Sequence, residues 1–306
     1  MQYLVIFNNS VFPIFLIILL AFIYKRIFRP DIPGLANLAL TVFAPVFVFE
    51  SLTRHTIAFS DLLVPFAFMV LLTGLLMAAA ACLSVPLRLG ASERTSLLLG
   101  TSMINVGNFG LPLIYFTYGQ EAVPLSIVYF VIFNIPLSTL AIYLSSDKSR
   151  LGDILVDVLK IPIFHAFVLA LGFTWLRIPL PESLQKGLHL ISQGAIPLLI
   201  FILGLQLASI SLAGMRGRII RFASVVTGAV AIRLVLSPIA AAALLWLLPV
   251  QGLERSVAVL QTSGPSAILP LMYTIRFNKS PQLLAAVILF TTLLSGLSLP
   301  VIIELI

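Results

Sequence analysis

The stretch Ile104–Leu113, INVGNFGLPL, stands in the middle of an apolar segment otherwise long enough to cross a membrane, and a second, Thr262–Leu271, TSGPSAILPL, stands in the middle of another. Glycine lacks the Cβ that keeps a chain helical, and proline removes an amide donor. Gly107, Gly110 and Pro112 should therefore interrupt the first helix, and Gly264, Pro265 and Pro270 the second. Non-helical backbone at membrane depth is tolerated only where it is buried in protein or lines a cavity. Two interruptions at corresponding places in two halves of a chain point to a transport site.

Working outward, the 306 residues are 60% hydrophobic and only 9% charged, against roughly 25% charged in soluble domains. This is the composition of an integral membrane protein. Ten apolar runs recur at 9–27, 33–52, 62–86, 94–117, 121–144, 161–178, 190–210, 219–248, 254–275 and 281–303. Little chain remains for a soluble domain. The first run is preceded by no basic residue and followed by no small-residue cleavage site, so it reads as a retained helix. Cys82 is the single cysteine, which excludes an internal disulfide and leaves packing as its role.

The net charge of +7 is explained by where the cations lie. With the amino terminus on side one, the side-two connections carry thirteen of the eighteen Lys and Arg: Lys25, Arg26, Arg29, Arg88, Arg94, Lys148, Arg150, Lys160, Arg216, Arg218, Arg221, Arg276 and Lys279. Side one carries Arg54, Arg177, Lys186 and Arg255, and Arg233 falls inside a span. The positive-inside rule makes side two cytoplasmic and both termini extracytoplasmic, in a multi-pass plasma or inner membrane protein. The basic excess is a topology signal and implies no nucleic-acid partner.

The two halves repeat. Pro13-Ile14-Phe15 recurs as Pro162-Ile163-Phe164, Glu93-Arg94 as Glu254-Arg255, and Thr101-Ser102 as Thr262-Ser263. Leu111-Pro112-Leu113 with Tyr115 recurs as Leu269-Pro270-Leu271 with Tyr273, after three extra residues in the first half. Five spans per half is an odd number, so the second half must enter from the opposite side and the repeat is inverted. The expected organisation is a first repeat over 1–146, a cytoplasmic connection over 147–160 and a second repeat over 161–306. The expected fold is all-α, with broken helices 4 and 9 crossing near mid-membrane.

Each break exposes a helix end of negative partial charge and one of positive partial charge. Pro112 and Pro270 suit the first turn of the second half-helices, whose free amides form an anion site. Asn105 and Asn108 add uncharged donors and acceptors in the first break; they either cap broken backbone or also contact substrate. Thr262, Ser263 and Ser266 do the same in the second break. Asn134 is a third amide at similar depth, with an interhelical hydrogen bond as its plainer role. Arg233, deep in the eighth span, needs a partner: it neutralises the negative half-helix ends or attracts an anion directly, and the first is favoured. Glu50 reads as an interfacial acid, Glu93 and Glu254 as residues of helix starts, and His165 as a packed or interfacial residue.

No spacing resembles a zinc site, a P-loop or a nucleophile elbow, so no catalytic residues, metal or cofactor are assigned and an enzyme is not expected. No ATPase module is present, which leaves facilitated or gradient-driven movement. The absence of paired mid-membrane carboxylates argues against a sodium/proton exchanger.

The Asn105-x-Gly107-Asn108-x-Gly110-x-Pro112 break, the Ser263-Gly264-Pro265 to Pro270 break and Arg233-Leu234 ahead of Pro238 resemble the auxin efflux carrier family, in its bacterial branch of PIN-like transporters. That resemblance spans essentially the whole chain. It implies a fold similar to sodium/proton antiporters and bile-acid symporters, with a scaffold domain from helices 1, 2, 6 and 7 and a transport domain from helices 3–5 and 8–10. It further implies movement of small organic anions, auxin-like or malonate-like carboxylates, by an elevator-type exchange at the crossing. Asn105 and Asn108 would meet the carboxylate, with Asn134 as the polar residue of helix 5, and homodimers would form through the scaffold helices. A sodium-coupled symporter of the bile-acid type and a membrane sensor that binds without transport are the alternatives.

Overall fold

The computed structural model describes residues 2–55, 60–146, 160–211 and 219–306. Most of the 147–160 connection, with Lys148 and Arg150, lies outside the described residues, as do Arg216 and Arg218. Helices follow one another along the chain: α1 (Gln2–Phe28), α2 (Ile32–Thr53), α3 (Asp61–Ser84), α4a (Ala91–Ser102) and α4b (Leu111–Tyr118). Next come α5 (Gln120–Ser145), α6 (Pro162–Trp175), α7 (Glu182–Leu207), α8 (Phe222–Leu247), α9a (Gly252–Thr262), α9b (Leu269–Arg276) and α10 (Pro281–Leu305). Seven of these are both long and apolar enough to cross a membrane, α6 is a shorter apolar helix, and α4 and α9 are each split into two half-helices by non-helical chain. Among the described residues the only strand-like pairing is one isolated antiparallel bridge.

α7 begins eight residues before its apolar run, because Glu182–Ser192 is an amphipathic first portion that hydropathy overlooks. Its exposed start carries the Glu182–Lys186 ion pair, 2.6 Å across one helical turn. Cys82 is exposed on the outer face of α3 and is not a packing residue.

The packing has the symmetry of an inverted repeat. Exchanging helix 1 with 6, 2 with 7, 3 with 8, 4 with 9 and 5 with 10 converts each main pairing into another that is present. α2 on α6 becomes α7 on α1, α3 on α4a becomes α8 on α9a, α4a on α10 becomes α9a on α5, and α3 on α5 becomes α8 on α10. The pairings of α3 with α8 and of α2 with α7 map onto themselves and mark the axis. Small residues let the backbones approach. At Gly204 of α7 a Cβ would stand 2.7 Å from the Ile18 carbonyl oxygen of α1.

Four π-helical turns interrupt otherwise regular helices: Phe7–Val11, Ala39–Phe43, Val106–Gly110 and Ile232–Leu236. Each is followed at once by a helical segment with proline in its first two positions, Pro13, Pro45, Pro112 and Pro238. A proline ring clashes with the carbonyl four residues back, and that residue, Asn9, Thr41, Asn108 or Leu234, lies inside the widened turn. Widening the turn relieves the clash without ending the helix.

Candidate functional site: the helix crossing

The two breaks meet backbone to backbone. Asn105 N donates to Pro265 O at 3.0 Å and Ala267 N to Met103 O at 2.8 Å, which pairs Ile104 with Ser266 in the antiparallel bridge. Peptide groups that a broken helix leaves unpaired in a low-dielectric interior thus satisfy one another across the crossing. The first break then recovers helical form through the Val106–Gly110 turn, with Gly110 N donating to Asn105 O at 2.9 Å. This turn takes up the three residues by which the first break exceeds the second.

Arg233, fully buried in the π turn of α8, reaches the carboxyl ends of both first half-helices. Its Nη1 donates to Thr101 O of α4a at 3.1 Å, its Nε to Gly264 O at 3.0 Å just past α9a, and its Nη2 to Thr262 O and to Ser237 Oγ, the latter at 2.7 Å. Ser237 Oγ donates in turn to Thr262 O at 3.1 Å. The guanidinium therefore lies against the two negative ends of the half-helix dipoles, with a planar donor fork that a lysine could not reproduce. Hydrogen bonds to carbonyls occupy its nitrogens, and no carboxylate partner appears among the described residues.

Asn105 is 6% exposed, and its Nδ2 has no hydrogen-bond partner. Asn108, one residue beyond Gly107, is half-buried on the face of α4 that continues two turns later to Tyr115. Gly107 and Gly110 are close-approach positions: a Cβ on Gly107 would stand 2.5 Å from the Phe130 ring, and one on Gly110 2.9 Å from Gln261 Cγ. Pro112 and Pro270 lie in the first turns of α4b and α9b, where a missing amide costs least. The hydroxyls of Thr262 and Ser263 turn back onto their own helix, to Ala258 O and Val259 O at 2.6 Å each. Ser266 Oγ bonds Gly100 O, and its amide donates to Thr291 Oγ1 of α10 at 3.2 Å. Asn134 Nδ2 donates to Phe130 O at 2.8 Å, and the side chain lines a small cleft between α5 and the start of α6, away from the paired backbones.

Two features escape a reading of the sequence. Gln261, one residue before the Thr262–Leu271 stretch, is fully buried and donates through Nε2 to Val106 O and Ser126 O, both at 3.0 Å. A glutamine between Leu260 and Thr262 in an apolar run was the available signal. Glu50, three residues before the end of α2, is buried among polar partners: Arg54 Nη2 at 2.5 Å, His189 Nδ1 at 3.0 Å and Ser192 Oγ at 3.3 Å all meet it. His189 Nε2 lies 3.1 Å from Gln193 Nε2. Of the helix-start acids, Glu93 Oε2 accepts the Gly90 amide at 3.1 Å and Glu254 Oε1 accepts from Tyr129 at 3.3 Å.

Glu50, Arg54, Ser192 and Gln193 line a cavity of about 620 Å³ between α1, α2 and α7 on one side and α4b and the start of α5 on the other. Tyr115, Glu121, Ile17, Pro197 and Ile200 also stand in its walls. Among the described residues no group of three or more His, Cys, Asp or Glu could hold a metal ion.

Residues 150–303 match the family described as Membrane transport protein. Over 302 residues, 96% of each chain, the sequence is 28% identical to an uncharacterized transporter of Methanothermobacter thermautotrophicus. Over 206 residues it is 27% identical to an uncharacterized transporter of Methanocaldococcus jannaschii, with 65% of this chain and 64% of that protein covered.

Proposed function

The chain belongs to the membrane transport protein family, that of the PIN-like auxin efflux carriers, and from that premise we propose that it is a secondary transporter of small organic anions with its substrate site at the crossing of α4 and α9. The observation that carries this reading is Asn105 Nδ2, a buried donor without a partner. Buried polar groups are nearly always paired, so an orphaned donor at a broken helix is a place prepared for an acceptor. A carboxylate supplies one. Asn108, half-buried on the adjacent face, is the second contact, and the amides at the start of α4b favour negative charge.

Arg233 acts in this reading as a fixed counter-charge to the half-helix ends, so the crossing keeps its shape whether or not substrate is bound. The dense packing of α1, α2, α6 and α7 makes one body, the scaffold, and helices 3–5 and 8–10 make the other, the transport domain. The cavity between them is the vestibule. Movement of the transport domain along the scaffold carries the crossing from one face to the other in ten-span, elevator-type exchange. The cation distribution supports an orientation with the vestibule and both termini outside the cytoplasm. The membrane potential then helps expel an anion, by about 2.3 kcal/mol per charge per 100 mV. The exposed faces of the scaffold helices are where two copies would join as a homodimer.

The test is current from reconstituted protein on a solid-supported membrane, challenged with a panel of small carboxylates, with and without sodium or a pH gradient. Sodium-independent current that disappears in Asn105→Ala and Asn108→Ala is the expected result. Wild-type binding and current in both variants would remove the crossing as the substrate site.

A further inference from the structure

Three buried polar atoms at the crossing have no hydrogen-bond partner in the protein: Asn105 Nδ2, Gln261 Oε1 and Ser126 Oγ. They belong to three different elements, the first break, α9a and α5, whose backbones Gln261 and Gly110 join. Gln261 Nε2 holds Val106 O, the carbonyl next in sequence to Asn105, and also Ser126 O. Gly110 lies between the Gln261 side chain and the Asn105 backbone: its missing Cβ would stand 2.9 Å from Gln261 Cγ and 3.3 Å from the Asn105 carbonyl oxygen.

The orientation of the Gln261 amide is fixed by its neighbours. The atom that meets two carbonyl oxygens at 3.0 Å must be the nitrogen, because an oxygen there would face two acceptors. The acceptor Oε1 is therefore forced to the other side, into a wholly buried setting with nothing to receive. Asn105 offers a donor and lacks an acceptor, whereas Gln261 offers an acceptor and lacks a donor. A simple carboxylate satisfies only the first of these.

We propose that Gln261 is a second recognition residue of the crossing, taking through Oε1 a hydrogen-bond donor carried by the same small organic acid whose carboxylate meets Asn105. The substrate class is then a carboxylate that also bears a hydroxyl or N–H group, in preference to plain aliphatic acids. This rests on the assignment of Asn105 to the carboxylate and goes beyond it in chemistry. A site built to pair a substrate hydroxyl or N–H rejects the analogue lacking it, because its own polar atom is then left dry.

The experiment is calorimetric binding to the purified full-length protein with two matched pairs of acids. Lactate is compared with 2-methoxypropanoate, and indole-3-acetate with 1-methylindole-3-acetate; each second member keeps the carboxylate and loses the donor. The donor-bearing member of at least one pair should bind tighter by about tenfold or more. In Gln261→Met that ratio should fall towards one, whereas Asn105→Ala should weaken both members alike. A purely structural glutamine would lower both affinities and leave the ratio unchanged. Where Gln261→Met does not fold, the ratios within the two wild-type pairs are read in its place. Equal, measurable binding within both wild-type pairs would also overturn it and leave the role of Asn105 standing. No binding by any of the four acids would overturn both.

Discussion

Replacing Arg233 by methionine removes the guanidinium and keeps a long, unbranched stem. In the wild type the guanidinium serves Thr101 O, Thr262 O, Gly264 O and Ser237 Oγ. Thr262 O keeps the Ser237 hydroxyl at 3.1 Å, so two carbonyls, Thr101 O and Gly264 O, lose the donor that Arg233 supplies. A buried acceptor stripped of its partner costs about 1–3 kcal/mol, so the two together cost about 2–6 kcal/mol. At roughly 2 °C per kcal/mol for a chain of this size, the melting temperature should fall by about 4–12 °C. Arg233→Lys retains the charge but not the fork, and should lose less than methionine without recovering the wild-type value. The assay is thermal unfolding of detergent-solubilised protein by intrinsic fluorescence, for which Trp175 and Trp246 are the two tryptophans. Arg233→Met melting within about 1 °C of wild type would refute the view that this side chain holds the two half-helix ends together.

Three further substitutions test the packing around the site. Gly204→Ala places a Cβ 2.7 Å from Ile18 O and 2.9 Å from Ile18 Cα, backbone atoms that cannot swing away; α1 and α7 must separate, and a loss above about 3 kcal/mol or failure to express as a monodisperse protein is expected. Gly107→Ala meets the Phe130 ring at 2.5 Å, and a loss of about 1–3 kcal/mol in thermal unfolding should be largely recovered in Gly107→Ala/Phe130→Leu, a coupling that a double-mutant cycle measures. Glu50→Gln removes the charge that Arg54 and His189 approach, and a loss of about 1–2 kcal/mol is expected, reduced because Arg54 is half exposed.

Much of the architecture was legible because membrane helices are written in hydropathy and breaks in glycine and proline. The apolar runs located the helices, and INVGNFGLPL and TSGPSAILPL located both interruptions to within a residue or two. Where hydropathy was silent, the reading stopped. The polar first turns of α7 were missed because they are held by amphipathicity and the Glu182–Lys186 pair. The burial of Glu50 was not legible because it depends on His189 and Ser192, some 140 residues away. The π turns were carried in the sequence by Pro13, Pro45, Pro112 and Pro238, yet a proline alone does not say whether a helix widens, kinks or ends.

The sequence by itself determined that the chain is an all-helical membrane protein of two inverted halves, because composition, period and odd span number are local or additive properties. Only the tertiary structure decided which polar groups face one another at the crossing. Thr262, Ser263 and Ser266 looked equivalent to Asn105 as site residues, but their hydroxyls are consumed by backbone carbonyls, while Asn105 Nδ2 is left without a partner. Gln261 stands out in the sequence only as a glutamine in an apolar run; Val106 O and Ser126 O are what fix its amide. Whether a buried polar atom is satisfied depends on partners brought from distant parts of the chain, and no local pattern in the sequence records it.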